Sequence, residues 1–316
     1  MIRIAILDDY QGVARDMADW RRLDDRAEVT VYQDTLTDAE ALAARLAPFD
    51  VICAMRERTA FDATLLAKLP ALRLLVTTGM GNAAIDMETA KARGITVCGT
   101  HGSAWGTAEL AFGLMIALAR GIMPENASLS AGGWQRTVGR DLFGARLGIV
   151  GLGRLGGRVA EYGRAFGMEI LAWSQNLTEE TARAKGARLV GKSELFASSD
   201  FISVHLRLSE RTTGLIGTPE LKAMKRDAYI VNTARAPIID LDALIAALRN
   251  GRIAGAALDV FDIEPLPARH RLRDVPNLLM TPHLGYVTRD NYKVFYGETL
   301  SAIEAWLDGK PVRVIA

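Results

Sequence analysis

A chain of 316 residues, 49% hydrophobic and 24% charged, is long enough for roughly two domains and a sizeable core. Its 38 basic and 37 acidic residues leave a net charge of +1 with no long run of either sign, so composition gives no case for nucleic acid or an anionic membrane as partner. The two cysteines, Cys53 and Cys98, lie in apolar strand-like runs (VICAM, ITVCG) and read as buried reduced thiols. With four scattered histidines they give no zinc spacing, and no metal is expected.

The first apolar run, RIAIL (3–7), is too short for a signal peptide and is followed at once by Asp8 and Asp9, so the chain reads as cytoplasmic. Further strands are predicted at 28–32, 51–54, 73–77 and 95–98. A helix starts at Thr37, where TDAE has the Ser/Thr-x-x-Glu capping-box form, and another ends near Gly94. A helix over 106–120 is apolar nearly all round, which suits a core or a domain seam, and it falls short of the ~20 residues needed to cross a bilayer. The stretch GIMPENASLSAGGW after it reads as a turn-rich connector. From Arg146 a second alternating series begins: RLGIV, EILAW, ARLV, DFISV, AYIVN, AGAALDV and LLMT. Thr288 caps a last helix to Leu307, ended by Gly309, which belongs to either domain. Strand–helix alternation throughout argues an α/β protein with parallel sheets.

Two glycine loops follow strands. In LGIVGLGRLGGRVAEYGRAFG, Gly151, Gly153 and Gly156 have G-x-G-x-x-G spacing, with an apolar strand before, an amphipathic helix after and a second strand from Glu169. Gly151 permits the tight turn, Gly153 lets a pyrophosphate approach the backbone, and Gly156 lets helix and strand pack closely. The helix N-terminus, at Arg154 and Leu155, then offers free N–H groups to phosphate. The second loop, Gly79-Met80-Gly81-Asn82-Ala83-Ala84, is a poorer dinucleotide site, because Asp86 caps the following helix and several residues intervene. Its backbone N–H groups suit a smaller anion such as a carboxylate.

A carboxylate is missing. Dinucleotide folds that use NAD carry an Asp or Glu about 20 residues beyond the glycines, at the end of the second strand. Here EILAWSQN ends in Trp173, Ser174, Gln175 and Asn176. Nothing there repels a 2′-phosphate, and Ser174, Gln175, Asn176 and Thr178 can all donate hydrogen bonds to one. No arginine follows Ser174, however. The expected cofactor is therefore NAD(P), with NADP tolerated and preferred.

Ligands of open parallel sheets bind beyond the carboxyl ends of the strands. Those ends carry His205 after DFISV, Arg235 after AYIVNTA, Asp259, Asp262 and Glu264 in AGAALDVFDIE, and His283 after LLMTP. Arginine, glutamate and histidine at one sheet mouth make an acid–base site beside a nicotinamide. The segments GLGRLGGRVA, HLRLSERTTGLIG, VNTARAPIIDLDAL, GAALDVFDIEPLP and MTPHLGYVT, in that order, resemble the signature segments of the D-isomer-specific 2-hydroxyacid dehydrogenase family. With TTGMGNAAIDMETAKARGI and HGSAWGTAELAFGLMIALAR upstream, the resemblance covers nearly the whole chain.

The resemblance implies two doubly wound parallel-sheet domains, a Rossmann cofactor domain (101–285) inserted into a flavodoxin-like substrate domain (1–100 plus 286–316). It implies Arg235 as the grip on substrate, His283 as acid–base and Glu264 as its partner. Asp259 would sit near the nicotinamide carboxamide, with Thr107, His205, Thr233 and Ala234 also lining the cofactor. Met80 and Gly81 would offer N–H groups to the substrate carboxylate. The family has a substrate-side loop at Arg56 and Arg58, although a solvated charge pair reads as well there. A structural role for His205 is an equal alternative. His101, His270 and Asp262 read as solvated groups, and Trp134 and Tyr286 as packing residues or cleft lining. Arg207 and Ala236 depart from the pattern, where many relatives have proline and glycine.

The chemistry implied is hydride transfer between NAD(P)H and a small 2-oxo acid, giving a D-2-hydroxy acid, with glyoxylate and hydroxypyruvate as candidates. A protonated imidazole supplies the proton, a neighbouring carboxylate favours its charged form and fixes its tautomer, and arginine offers a planar fork to a carboxylate. A homodimer through the cofactor domain is expected. The rival readings are an NAD(P)-sensing interaction protein that kept the fold, and a relative oxidising a one-carbon or inorganic anion.

Overall fold

The structure is a computed structural model describing residues 1–316. It divides into two compact units, Met1–Ser103 with Val287–Ala316, and Ala104–Tyr286. The last helix, Arg289–Leu307, therefore belongs to the first unit.

The first unit holds strands β1 (Ile2–Ile6), β2 (Ala27–Val31), β3 (Val51–Ala54), β4 (Leu74–Thr77) and β5 (Thr96–Gly99), in the order β2-β1-β3-β4-β5. All pair in parallel, for example Ile4 with Val51 and Cys53 with Val76. This is the flavodoxin-like order, with its switch point between β1 and β3. β3 and β4 are buried along their whole length, which is why they read as unbroken apolar runs. The C-terminal segment returns to β5, where Ile315 N donates to Val97 O at 2.8 Å.

The second unit holds β6 (Arg146–Val150), β7 (Glu169–Trp173), β8 (Arg188–Leu189), β9 (Phe201–Val204), β10 (Tyr229–Asn232), β11 (Gly255–Leu258) and β12 (Leu278–Met280). Their order, β12-β11-β10-β9-β6-β7-β8, is the doubly wound Rossmann arrangement, reversing direction between β6 and β9. Successive residues feed opposite faces. Ile202, Ile230 and Ala256 enter one apolar core, while Phe201, Val231 and Ala257 enter the other. The helix Trp105–Arg120 buries Ala108, Ala111, Phe112 and Met115 in that second core. No single helix is long and apolar enough to cross a membrane.

Two local expectations are corrected. The connector after Arg120 contains a helix, Ile122–Ser130. Gly121, in the left-handed conformation, closes one helix and opens the next, and Pro124 falls in the first turn, where its missing N–H costs no hydrogen bond. The cap of the helix Ala39–Leu46 is Asp38 rather than Thr37: its carboxylate accepts from Ala41 N at 2.8 Å. The caps expected at Asp86 and Thr288 are as read, accepting from Thr89 N at 2.9 Å and Asn291 N at 3.2 Å. Cys53 and Cys98 are buried free thiols, and burial pushes the Cys53 thiol well above its ordinary pKa.

Candidate active site

In the second unit the glycine loop joins β6 to the helix Arg154–Ala165. Gly151 has φ +99, and a Cβ there would lie 2.9 Å from the backbone of His205. A Cβ on Gly156 would lie 2.1 Å from Gly151 O and 3.0 Å from Ile149, so only glycine lets helix and strand approach this closely. Gly153 differs. A Cβ there would meet no atom within 4 Å, so packing does not demand a glycine and the backbone faces open space. The first-turn N–H groups at Arg154 and Leu155 have no intrahelical acceptor and carry the positive end of the helix dipole. Gly151 N donates to Trp173 O at 2.8 Å, which fixes the end of β7, and hence Ser174, beside the loop. Gln175 and Asn176 are exposed just beyond it.

Sheet order sorts the remaining residues along the same carboxyl edge: His205 after β9, Thr233, Ala234 and Arg235 after β10, Asp259 after β11, His283 after β12. His205 lies partly open to solvent, but its ring is deep. Nε2 shares a 2.8 Å hydrogen bond with Ser203 Oγ, while Nδ1 is buried without a partner, as is Thr233 Oγ1. Burial lowers the pKa of His205 to about 4 from 6.5. The unfolded chain therefore takes up a proton at higher pH than the folded one. The stability contributed is present above about pH 6.5 and lost as pH falls towards 4, at most about 3 kcal/mol. His205→Gln is expected to flatten that part of the stability profile, measured by urea unfolding at a series of pH values. Parallel wild-type and variant profiles would remove His205 as the cause.

At the far side, His283 Nδ1 and Glu264 Oε2 are 2.6 Å apart, with side chains 18% and 23% exposed. The other oxygen of Glu264 accepts from Phe261 N at 2.9 Å, so the carboxylate is itself aimed. With Nδ1 donating to Glu264, Nε2 is the ring nitrogen left to act on another group. His283 has a left-handed backbone, φ 53, and the ring of Tyr286 meets it edge-on at 5.2 Å.

Asp259 braces this loop from both sides of His283. It accepts from Thr281 Oγ1 at 2.6 Å, Leu284 N at 2.7 Å and Gly285 N at 2.8 Å. Burial pushes its pKa up, and these donors together with the nearby His283 oppose the shift. Thr107 Oγ1 donates to Gly285 O at 2.8 Å, tying the same loop to the helix Trp105–Arg120. Thr281 was absent from the sequence reading, although its place two residues before His283 in TPH could have suggested it. Arg235 is extended (φ −148, ψ 139) and heads a short 3-10 turn, Ala236–Ile238; Asn232 Nδ2 holds its carbonyl at 3.0 Å. Its guanidinium reaches Ala234 O at 2.7 Å.

In the first unit, the loop after β4 packs an arginine against a glycine. Gly79 has φ +95, and a Cβ there would overlap Arg56 Nη1 at 1.9 Å, so the guanidinium packs directly on this glycine. Arg56, also left-handed at φ 53, donates through Nη1 to Thr78 O at 3.0 Å, and Asn82 Nδ2 holds Arg56 O at 2.6 Å. Gly79 N is occupied by Thr100 Oγ1 at 2.9 Å, while the N–H groups of Met80 and Gly81 donate to no acceptor in the chain. Asn82 and Thr100 were missed in the sequence, because their contacts are set by the fold. Arg58 stacks on Tyr10 and donates to Asp8 O at 3.1 Å, so Arg56 and Arg58 are not a solvated pair.

Of the groups read as solvated, Asp262 is exposed, His101 pairs with Glu298 at 3.1 Å, and His270 accepts from Leu272 N. Tyr286 is buried, whereas Trp134 is largely exposed and packs into no core.

Residues 112–285 match the family described as D-isomer specific 2-hydroxyacid dehydrogenase, NAD binding domain. The chain is 41% identical over 239 residues to a glyoxylate reductase of Aeropyrum pernix, covering 72% of this chain and 71% of the relative. It is 36% identical over 287 residues to a D-3-phosphoglycerate dehydrogenase of Bacillus subtilis, covering 90% of this chain but 54% of the relative, so the match spans about half of that protein's length. Among solved structures, a phosphoglycerate oxidoreductase of Vibrio cholerae O395 superposes with a TM-score of 0.93 at 37% identity, covering 98% of this chain and all of that one.

Proposed function

The chain belongs to the D-isomer specific 2-hydroxyacid dehydrogenase family, and from that premise we propose that it is a nicotinamide-dependent oxidoreductase interconverting a small 2-oxo acid and its D-2-hydroxy acid. The observation that carries the reading is the 2.6 Å His283–Glu264 pair on the edge of the sheet that also bears the glycine loop.

The residues present suit a dinucleotide. Gly153 leaves open space where a side chain would intrude, and His205 Nδ1 and Thr233 Oγ1 are buried polar atoms awaiting partners along the same edge. We assign Gly151, Gly153, Arg154, Leu155 and Gly156 to the pyrophosphate, and Ser174, Gln175 and Asn176 to the adenosine end. Thr107, His205, Thr233, Ala234 and Asp259 fall to the nicotinamide end. Asp259 acts there mainly by bracing the His283 loop, since its carboxylate already holds three donors.

The bound cofactor supplies or accepts a hydride. The chain's own residues do the rest. Arg235 offers the carboxylate and carbonyl oxygen of the acid a planar, permanently charged fork. His283 delivers a proton from Nε2 to the carbonyl oxygen as it becomes a hydroxyl, and takes it back in the reverse direction. Glu264 keeps Nδ1 as the donor it holds, which fixes the ring's orientation. To substrate binding we also assign Arg56 and the N–H groups of Met80 and Gly81, a cradle for an anion. Glyoxylate and hydroxypyruvate fit a site specified by a carboxylate and an adjacent carbonyl, and similarity to a glyoxylate reductase supports the class.

We assign the chain to a homodimer through the second unit, where Trp134, Val138 and Phe143 are 72%, 100% and 83% exposed. Apolar side chains this open in one short segment favour a protein partner over water.

The test of the reading is NAD(P)H oxidation against a panel of 2-oxo acids. Turnover of glyoxylate or hydroxypyruvate is expected. Normal cofactor binding with no turnover anywhere on the panel would replace the enzyme reading by a cofactor-sensing one.

A further inference from the structure

Lys185 plays no part in the reading above, yet it touches the glycine loop. It follows the helix Glu179–Ala184, on the segment that leads away from Ser174. Its ammonium donates to Leu152 O at 2.7 Å and to Gly153 O at 3.1 Å. Its stem runs 3.5 Å from where a Cβ on Gly157 would stand. Both partners are neutral carbonyls, and no carboxylate pairs with it. Lys192 and Lys225 in the same unit are, by contrast, paired with Glu220 and Asp200 at 2.8 and 2.9 Å. A half-buried ammonium with an uncompensated charge thus sits on one side of the loop, and Ser174 sits on another through the Gly151–Trp173 bond. The carboxylates next along the chain, Glu179 and Glu180, are exposed on the first turn of the following helix, whose N-terminus favours them there.

We propose that Lys185 and the Ser174 hydroxyl form a 2′-phosphate site, so that the chain selects NADP over NAD. The inference rests on reading the second unit as the dinucleotide domain. An ammonium on a flexible stem can exchange two neutral carbonyls for charge-assisted bonds to a phosphate dianion. With NADH it has no reason to leave the carbonyls. The lysine therefore acts on the difference between the two cofactors rather than on their common part.

Isothermal titration of the full chain with NADPH, NADH and 2′,5′-ADP tests this without turnover. Wild type is expected to bind NADPH more tightly than NADH. Lys185→Met should weaken NADPH and 2′,5′-ADP about tenfold or more, with NADH within about twofold, and Lys185→Arg should restore most of the loss. Ser174→Asp should lower the affinity for NADPH relative to NADH by about tenfold, which gives a second route should the methionine variant fold poorly. Equal losses for NADPH and NADH in Lys185→Met would make the lysine a strut of the loop and overturn the proposal, as would no loss for either. If wild type binds neither dinucleotide, the dinucleotide reading itself falls and takes this one with it.

Discussion

His283→Ala is expected to lower kcat by about 10²–10⁴ while the dissociation constants of the cofactor stay within about twofold. Loss of the imidazole leaves the developing alkoxide without the proton donor that Glu264 orients. Asp259 is committed to Thr281, Leu284 and Gly285. Glu264 is held by Phe261 N and serves the ring itself. The cofactor should be indifferent, because the glycine loop lies four strands away along the sheet, at β6. Steady-state kinetics with a titration of the variant by NADPH measures both quantities. Turnover like that of wild type would remove His283 from the chemistry.

Arg235→Lys should raise KM for the oxo acid and cost roughly tenfold to a hundredfold in kcat/KM, with little change in KM for the cofactor. Lysine keeps the charge but replaces a planar fork with a point donor, so one of two directed bonds to the acid is lost. The backbone at this position is set by Asn232 and the turn Ala236–Ile238, so the longer-range frame should survive. An equal rise in both KM values would mean that Arg235 does not hold the substrate.

The fold was largely legible because both sheets are covered on two faces, which writes each inner strand as an apolar run between turn residues. The helix Ile122–Ser130 was hidden, because Gly121 and Pro124 look like breakers until their places, a cap and a first turn, are known. In the site, the glycine loop was legible from local spacing alone. The His283–Glu264 pair, 19 residues apart, could be expected only through family resemblance and the strand-end rule. Lys185 gave no signal. Its contact with Leu152 spans 33 positions and depends on how a short helix returns towards the loop. Asn82 and Thr100 stayed invisible for the same reason, being props rather than reactive groups.

The left-handed backbones at His283 and Arg56 have a consequence for the folding landscape. Residues with a β-carbon cost about 1–2 kcal/mol each in that conformation, whereas glycine adopts it freely. Both positions are thus points of local frustration, where the residue present disagrees with the conformation the chain must take. The surrounding bonds, from Asp259 on one loop and Asn82 on the other, hold that disagreement in place. Glycine at either site would relieve that strain, at the cost of the side chain and of added backbone freedom in the unfolded chain.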